Sequence, residues 1–259
     1  MANNATVKSP LKDPPLRNPG QSLDEELQQL YSEKFLPYFL FPGLFIVYAI
    51  GEWWRWYLPS PPIPRVVTVI ALVSVIYSVY QIRKLRPKIH ALKLGRDGEK
   101  IVGQSLEELR TGGAIVLHDI MAKDFNVDHV VISYQGIFVI ETKTYSKPKG
   151  RDARVVFDGE KLLVDGWPPR KDPIKQVQAN SAWVHELLEE STGKSFPVKS
   201  VLLFPGWYVE TVGAHAYDKV WVLNPKGLPV FIANEKTALS LEDIKMATCH
   251  LSRYIRTLR

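Results

Sequence analysis

The sequence predicts an α/β domain preceded by a transmembrane helical hairpin. Two apolar runs, residues 35–51 and 66–82, each extend for 17 positions without a charged side chain. Each run is close to the length that a helix needs to cross about 30 Å of hydrocarbon. From Leu94 onward, short apolar segments bounded by turn residues alternate with helical patterns, which is typical of an α/β domain. These observations divide the chain into residues 1–34, 35–88 and 89–259.

Residues 1–34 are predicted to form a cytoplasmic tail. The first 22 residues are polar, rich in Pro and Asn, and without periodicity, which is typical of a disordered segment. Ser22 is followed by acidic residues and later by Lys34, so we expect a short helix to begin at Ser22.

Two membrane-spanning helices are predicted over residues 35–57 and 66–82, joined by a short external loop. Three tryptophans near the end of the first helix lie where an interfacial aromatic belt is expected. They are Trp53, Trp54 and Trp56. The second run is followed by the basic residues Arg83, Lys84, Arg86, Lys88 and Lys93. The positive-inside rule therefore places both termini in the cytoplasm, in the inner or plasma membrane of a bacterium-like cell.

Other interpretations of the two runs are weaker. A buried pair of helices in a soluble protein would also be apolar and remains an alternative. A cleaved signal peptide is disfavoured, because the first run starts late and a second run follows it. The runs contain no cluster of ionisable side chains, which disfavours a transporter or receptor subunit and favours a simple anchor.

The composition excludes a disulfide-stabilised fold and gives little support to duplex binding. Cys249 is the single cysteine, so no intrachain disulfide can form. The net charge is +6, but residues 89–259 hold 23 Lys and Arg against 21 Asp and Glu. Residues 83–100 alone hold seven basic and two acidic side chains. The basic excess is therefore concentrated beside the second apolar run and does not predict a basic nucleic-acid-binding face.

Within the α/β domain, the pattern predicts helices and strands in a definite order. A helix over 94–111 precedes the first strand. Asp172-Pro173 is a strong helix start, with an N-cap acid followed by proline at the first helical position. That helix is expected to end near Ser191. A final helix is expected over Ser240–Leu258. The expected strands are Ala114–Leu117, Asn126–Ser133, Gly136–Thr142, Ala153–Phe157, Leu162–Val164, Val198–Phe204, Lys219–Leu223 and Val230–Ala233.

The strands Asn126–Ser133 and Gly136–Thr142 form a predicted hairpin that carries three charged residues near one end. A turn at Tyr134-Gln135 places Asp128 opposite Glu141, whereas a turn at Gln135-Gly136 places Asp128 opposite Lys143. In both registers all three side chains lie on one face of the hairpin. Two opposed carboxylates would repel each other, and a divalent cation between them removes that repulsion.

The residue types on the hairpin favour metal-assisted phosphodiester cleavage. Oxygen ligands favour Mg²⁺ or Mn²⁺ over zinc, which prefers His and Cys. An ammonium such as that of Lys143 can orient a nucleophile and stabilise the charge that develops on a phosphate. A Glu-x-Lys triplet alone is a weak signal, because a solvated ion pair at a strand end has the same sequence. The order of the elements around the triplet makes it more specific.

That order, with these residues, resembles the PD-(D/E)xK nuclease superfamily and, more closely, the nuclease-related domain (NERD) family. The matching stretches are GRDGEKIVGQSLEEL, NVDHVVISYQGIFVIETKTY and DPIKQVQAN, and the resemblance covers roughly residues 90–235. It implies a restriction-endonuclease-like αβββαβ core, here with extra C-terminal strands and a helix. Asp172 stands where the family pattern usually shows Asn, a change that keeps the ability to cap a helix.

The resemblance also implies residue roles. Asp128 and Glu141 would be metal ligands and Lys143 the catalytic lysine. Glu99 corresponds to an additional acid on the first core helix, and Gln176 to a glutamine on the second. Glu99 could instead be a solvated charge on the helix surface. Gln176, like Asn180 one turn later, could instead satisfy loop carbonyls.

Several further polar residues are candidates for weaker roles. A basic group beyond the Glu-x-Lys strand could contact a phosphate backbone or could be a solvated loop. Its members are Lys147, Lys149, Arg151, Arg154, Arg170, Lys171 and Lys175. His129 points away from Asp128 and is expected to be structural. His118 and Asp119 lie at a strand end and could approach a metal, although a lone His is seldom a ligand.

The expected function is that of a membrane-anchored, Mg²⁺- or Mn²⁺-dependent nuclease that hydrolyses phosphodiester bonds, with DNA favoured over RNA. The alternative is a nuclease-fold module with little or no catalysis that binds nucleic acid or a protein partner at the membrane. The nearly neutral domain favours the alternative, and the complete Asp128, Glu141 and Lys143 set favours the nuclease.

Overall fold

A computed structural model describes residues 16–58, 64–147, 154–213 and 216–257. The chain divides into two compact units. One unit is helical and comprises Ser22–Arg96. The other, the α/β unit, comprises Asp97–Arg259 together with the N-terminal residues up to Gln21.

The helical unit consists of long apolar helices. Helix α1 spans Gln21–Gln29, a π-helical segment spans Leu30–Phe35, helix α2 spans Leu36–Trp56, and helix α3 begins at Pro64. Gln21–Trp56 and Pro64–Thr111 are both long and apolar enough to cross a membrane. Only 17% of the most apolar window of each is buried, which disfavours the buried pair of helices in a soluble protein. Two apolar helices are by themselves weak evidence for membrane association.

The α/β unit begins with the end of α3, which spans Pro64–Thr111 and continues through Pro87. The strands that follow are β1 (Ile115–Met121), β2 (Asn126–Ser133), β3 (Gly136–Thr142), β4 (Arg154–Phe157), β5 (Leu162–Val164), β6 (Val198–Leu203), β7 (Tyr208–Thr211) and β8 (Val220–Leu223). The helices are α4 (Pro173–Thr192), α5 (Leu228–Asn234) and α6 (Leu241–Thr257), with a 3-10 turn at Pro225–Gly227.

The strands form two sheets. The larger sheet has the order β1-β2-β3-β6-β8, in which β1, β2 and β3 pair antiparallel and β6 pairs parallel with both β3 and β8. The smaller sheet has the order β5-β4-β7. Parallel pairing of β3 with β6 requires a crossover, and α4 supplies it. Because the two strands are parallel, their carboxyl ends lie at the same edge of the sheet.

Helices cover both faces of the larger sheet. On one face Val130, Ile132 and Val139 pack against α4 and α6. On the other face Val131, Phe138 and Ile140 pack against α3 and α5. The central strand β3 is buried along its whole length, as expected for a strand that is covered on both sides. A charged side chain on β3 therefore sits at low solvent exposure, and only a specific environment can accommodate it.

The ends of α4 confirm how the sequence marks a helix. The Asp172 carboxylate accepts hydrogen bonds from the backbone N–H groups of Ile174 and Lys175, at 3.0 and 3.3 Å. Gly193 ends the helix with a φ of 71°, a left-handed conformation that favours glycine. The helix start predicted at Asp172-Pro173 is therefore confirmed.

Three predictions about the elements differ from the structure. Val230–Ala233, predicted as a strand, lies in helix α5, where Leu228 and Ile232 are buried four positions apart and Val230 is 60% exposed. The predicted helices 66–82 and 94–111 are parts of the single helix α3. Strand β7 was not predicted, because its four residues are too short to show a clear pattern.

The N-terminal tail also differs from its prediction. Residues 1–15 of the predicted disordered segment lie outside the described residues. Arg17, however, is bonded to Asp119 of β1 at 2.7 Å, and Pro19 lies against Gly103 of α3. A β-carbon added at Gly103 would lie 2.4 Å from the Pro19 ring, so the ring packs this closely on the helix because position 103 is glycine.

Candidate active site

The hairpin β2–β3 brings two buried carboxylates to the carboxyl end of β3. His129 pairs with Ile140 and Ser133 with Gly136, which places the turn at Tyr134-Gln135. Continued by one position, this register sets Asp128 opposite Glu141. The two residues are 5% and 2% exposed. The backbone N–H of Thr142 donates a hydrogen bond of 2.7 Å to Asp128 Oδ2 and fixes its carboxylate.

Glu141 is held by three side chains. Lys143 Nζ lies 2.5 Å from Glu141 Oε1, and Gln176 Nε2 donates to the same oxygen at 2.7 Å. Asn180 Nδ2 donates to Glu141 Oε2 at 3.0 Å. Lys143 Nζ also donates to Gln176 Oε1 at 3.0 Å, so the glutamine bridges the lysine and the carboxylate. Gln176 and Asn180 are one turn apart on α4, and both reach the hairpin because α4 packs on that face of the sheet.

Glu99 on α3 contributes a third carboxyl group to this region. The adjacent Gly98 allows the helix to pack on the segment after β3, because a β-carbon there would lie 1.8 Å from Thr144 Oγ1. Glu99 is 6% exposed and accepts a hydrogen bond from the Gly20 backbone. Its Oε2 atom is buried and has no hydrogen-bond partner among the described residues. A buried, unpartnered carboxylate oxygen is costly and indicates a missing proton or cation.

Burial raises the pKa of all three carboxyl groups, and neighbouring carboxylates raise those of Glu99 and Asp128 further. Burial, followed by the charges of Asp119 and Glu141, raises the pKa of Glu99 to about 8. Burial raises the pKa of Asp128 well above its usual range, and the charges of Glu141 and Glu99 raise it further. Burial also raises the pKa of Glu141, although Lys143 and Asn180 offset part of the effect. The cluster therefore binds protons readily when no other cation neutralises it.

Lys143 remains charged in this environment. Burial alone would lower the pKa of its ammonium group, but the charge and hydrogen bond of Glu141 outweigh burial, so the pKa is raised. Glu99, Asp128 and Glu141 together with Lys143 carry a net charge of −2 when all four are ionised. We call these four residues the carboxylate cluster.

Asp119 lies next to the carboxylate cluster but is neutralised separately. It is fully buried, with a φ of 50° that is unusual for a non-glycine residue. Arg17 Nε donates to Asp119 Oδ2 at 2.7 Å, and Asn126 Nδ2 donates to Oδ1 at 3.2 Å. No sequence pattern indicates the contact of Arg17 with Asp119, because the two residues are 102 positions apart.

His118 and His129 form a second buried polar group, the histidine pair. Their Nδ1 atoms are 2.9 Å apart, and His118 Nε2 lies 3.2 Å from Glu107 Oε1. Burial lowers the pKa of His118 and lowers that of His129 well below its usual range. A proton on His118 Nε2, facing Glu107, leaves Nδ1 to accept from His129 Nδ1–H. Both rings are therefore neutral at pH 7.

The predicted phosphate-contacting residues are spread over several places. Lys147 follows β3, and Arg154 begins β4. Arg170 and Lys171 are exposed just before α4, and Lys175 lies in its first turn with its side chain 83% exposed. Lys149 and Arg151 lie outside the described residues.

Residues 94–205 match the family model described as the nuclease-related domain, NERD. The match supports the NERD family and a nuclease-related function for this part of the chain. The matched residues include Glu99, Asp128, Glu141, Lys143 and Gln176. No curated protein and no solved structure matches the chain.

The donor atoms fit a divalent cation by chemistry and charge. Within the described part of the chain, no group of three or more His, Cys, Asp or Glu side chains has the arrangement of a metal site. The carboxylate cluster nevertheless supplies oxygen donors, a net charge of −2 when it is fully ionised, and the Glu99 Oε2 atom, which has no partner among the described residues. Hard oxygen donors of this kind favour Mg²⁺ or Mn²⁺.

Proposed function

We propose that this protein is a membrane-anchored, divalent-cation-dependent nuclease that hydrolyses phosphodiester bonds in nucleic acid. The observation that carries the proposal is the carboxylate cluster, in which Lys143 lies 2.5 Å from Glu141 and three buried carboxyl groups share one region. The match of residues 94–205 to the nuclease-related domain supports the same reaction class. The restriction-endonuclease-like αβββαβ core is part of this proposal. It is supported by the element order α3-β1-β2-β3, then α4-β6, interrupted by the β4–β5 hairpin.

Asp128, Glu141 and Glu99 would hold Mg²⁺ or Mn²⁺. Such an ion, when bound, polarises a phosphate oxygen and lowers the pKa of a bound water. The side chain of Lys143 is positioned to stabilise negative charge that develops on a phosphate. Gln176 orients that ammonium through its Oε1 atom and orients Glu141 through its Nε2 atom. Asn180 fixes the second oxygen of Glu141. Burial strengthens each of these interactions, because the local dielectric constant is low.

The anchor part of the proposal rests on the helical unit. Exposed apolar side chains cover the helices, among them Phe39, Leu44 and Val47, which are 66, 70 and 68% exposed. In water such a surface would aggregate, whereas hydrocarbon accommodates it. Basic residues after the second apolar run support a cytoplasmic location of the α/β unit.

A second candidate function is a binding module with a silent site. Two observations favour it: residues 89–259 are nearly neutral, and Glu141 is already fully hydrogen bonded by Lys143, Gln176 and Asn180. In this case the domain would bind nucleic acid or a protein partner at the membrane without cleaving a bond.

A cleavage assay separates the two functions. The full chain in lipid nanodiscs would be incubated with labelled single- and double-stranded DNA and RNA in Mg²⁺, Mn²⁺ or EDTA. We expect cleavage that requires the cation and is lost in Asp128→Asn and Lys143→Met. The substrate that is cleaved distinguishes DNA from RNA.

The matched control is Lys161→Met, which removes an exposed lysine of the β4–β5 turn and should leave cleavage unchanged. Cleavage that persists in Asp128→Asn and Lys143→Met would come from a contaminating nuclease and would contradict the proposal. A folded chain without cleavage under any condition would favour the binding module.

A further inference from the structure

A large groove opens beyond the carboxyl ends of β6 and β8. Its volume is about 1110 Å³, which is at the upper end for ligand sites. Most of its wall lies after residue 205, outside the part of the chain that matches the nuclease-related domain. The side chains that matter for its chemistry are Lys147, Arg154, Trp207, Tyr208, Asn224 and Lys226.

The groove adjoins the segment that follows strand β3, which carries Glu141 of the carboxylate cluster. Lys147 lies four residues after Lys143 on the segment that leaves β3. Within that segment the Tyr145 ring stacks on Phe204, with centroids 6.1 Å apart. Trp207 Nε1 donates to the Tyr145 carbonyl at 3.3 Å, and Asn224 Nδ2 donates to the Trp207 carbonyl at 2.8 Å. The groove wall is therefore tied to the chain that leads from Lys143.

Cations and aromatic rings alternate along this wall. Lys147 Nζ lies over the Trp207 ring at 5.8 Å, and the Arg154 guanidinium lies over the Tyr208 ring at 5.9 Å. Tyr208 is 65% exposed, so one ring face is accessible to a ligand. None of the described residues that line the groove is acidic. Arg154 also pairs with Glu210 at 3.5 Å, and because both side chains are exposed this ion pair is weak.

This combination favours an unpaired nucleic-acid strand over a duplex. Exposed aromatic rings stack on bases, and a base offers its face only when it is unpaired. Strong duplex binding usually requires a broad basic face, and the nearly balanced charge of residues 89–259 does not provide one. Three cations in one groove can instead follow the phosphates of a short single strand.

We propose that this groove binds single-stranded nucleic acid and leads the strand to the carboxylate cluster. The inference deepens the proposed nuclease function and rests on it for the meaning of the bound strand. The shared chemistry of the ligand is a base face beside a phosphate, which both single-stranded DNA and single-stranded RNA provide.

Binding without cleavage tests the groove. Fluorescence anisotropy would measure the Kd of the full chain in nanodiscs, in EDTA, for single-stranded DNA, single-stranded RNA and duplex DNA of equal length. We expect single strands to bind more tightly than the duplex, and Tyr208→Ala to raise the single-strand Kd by about tenfold, since stacking on one ring contributes roughly that much. Lys147→Ala should raise the same Kd and weaken its dependence on salt.

The matched control is Tyr134→Ala, because Tyr134 is also exposed but lies in the β2–β3 turn, at the end of β3 away from Glu141. It should leave the Kd unchanged. Tighter binding of single-stranded DNA or single-stranded RNA than of duplex DNA supports the proposed groove. The single strand that binds more tightly is then identified as its ligand. Equal or tighter duplex binding, no single-strand binding, or an unchanged Kd in Tyr208→Ala would overturn it.

The same data separate this inference from the proposed function. If single strands bind in a Tyr208-dependent manner but no metal-dependent cleavage occurs, the proposed binding groove is supported and the proposed nuclease activity is contradicted. If cleavage is lost in Asp128→Asn but Tyr208→Ala does not change the Kd, the proposed nuclease activity is supported and the proposed binding groove is contradicted.

Discussion

The carboxylate cluster and the histidine pair meet on β2, where Asp128 and His129 are neighbours. Both groups are buried, but burial has opposite consequences for their charge. Asp128 and His129 are consecutive residues and are 5% and 0% exposed. The histidines lose their charge, because burial lowers both pKa values, and each ring has the other as a hydrogen-bond partner. The carboxyl groups retain Lys143 as a cation and leave an oxygen of Glu99 without a partner.

The difference shows how to separate a structural polar group from a candidate site. The neutral histidine pair has no buried charge to balance, although among the described residues its His129 Nε2 atom, like Glu99 Oε2, is buried without a partner. The carboxylate cluster would carry a net charge of −2 when fully ionised and therefore requires protons or a cation. Asp119 is an intermediate case, because it is fully buried beside the carboxylate cluster but has Arg17 as a dedicated partner at 2.7 Å. Only the carboxylate cluster combines buried charge with an incomplete set of partners among the described residues.

The largest expected effect compares the two neighbours on β2. Asp128→Asn should lower the rate of metal-dependent cleavage by about 10² to 10³, the usual loss when a charge-stabilising group is removed. The double variant His118→Leu/His129→Leu should keep the rate within about twofold, since apolar replacement of both partners of a buried hydrogen bond can be nearly neutral. Single-turnover cleavage rates test both expectations, with melting curves as the control for folding.

An equal fall of the cleavage rate in Asp128→Asn and in His118→Leu/His129→Leu would contradict the expected difference between the two groups. It would place the histidine pair in the reaction and remove the distinction between a self-neutralised group and a site.

The next effect concerns the ion pair of Arg17 and Asp119. Arg17→Ala should destabilise the α/β unit by about 3 kcal/mol, because it leaves a fully buried carboxylate without its cation. Urea unfolding of the full chain in detergent, followed by tryptophan fluorescence, measures this change. Lys175→Ala is the matched control, since that lysine is 83% exposed and its pair with Asp172 at 3.8 Å should contribute little. A change below about 0.5 kcal/mol in Arg17→Ala would show that the N-terminal segment does not support the site.

A smaller effect is expected for the side chains that hold Glu141. Gln176→Ala and Asn180→Ala should each lower the cleavage rate by roughly 10- to 100-fold, as is usual for groups that orient a metal ligand. Gln178→Ala on the same helix serves as the control and should have no effect. Steady-state kinetics would show the loss in kcat more than in KM, because these residues position the reacting groups. An unchanged kcat in both variants would mean that the network around Glu141 is only structural.

The smallest expected effect is a pH dependence with two opposite limbs. In EDTA, the contribution of Glu99 to stability should fall as pH rises from its ordinary pKa of 4.5 to its folded value of about 8, because over this range the folded state keeps a proton that the unfolded chain has released. The contribution of the histidine pair has the opposite sign and should fall as pH drops below 6.5, because the unfolded histidines bind protons that the buried, neutral pair does not. The Tm should change by a few degrees on each limb.

Variants assign each limb to its cluster. Glu99→Gln should flatten the alkaline limb, and His118→Leu/His129→Leu should flatten the acidic limb. Mn²⁺ should raise the Tm more at pH 8 than at pH 5, because protons compete with the cation. A Tm that rises from pH 6.5 to 8 in EDTA, or a Mn²⁺ effect that is equal at both pH values, would contradict this assignment.

Local sequence signals predicted the parts of the fold that depend on local chemistry. The N-cap at Asp172 and the end of α4 before Gly193 follow from neighbouring residues, and the β2–β3 hairpin has one of the two registers that the sequence left open. The α/β class is confirmed as well. Helix α5 was predicted wrongly, because an apolar run of four residues fits a strand and a helix equally well. The continuity of α3 through Pro87 could not be predicted, since proline usually ends a helix.

For the candidate site, too, the features that are local in sequence could be predicted, and the contacts between distant segments could not. Asp128, Glu141 and Lys143 share one hairpin face, which alternation along a strand already implies. Contacts between distant segments could not be predicted from the sequence. The main examples are the contact of Arg17 with Asp119 and that of the Gly20 backbone with Glu99. The glycines in GRDGEKIVG carried an overlooked signal, because Gly98 and Gly103 mark two places where another segment touches the helix.

The central claim is that the carboxylate cluster is a divalent-cation site. Calorimetric titration of the full chain in nanodiscs with Mn²⁺ tests it most directly, at pH 7.5 and without nucleic acid. We expect saturable binding that releases protons, is weakened at least about tenfold in Asp128→Asn and Glu141→Gln, and is unchanged in His118→Leu/His129→Leu. Absence of saturable binding by the folded wild-type chain, or equal affinity in Asp128→Asn, would contradict it.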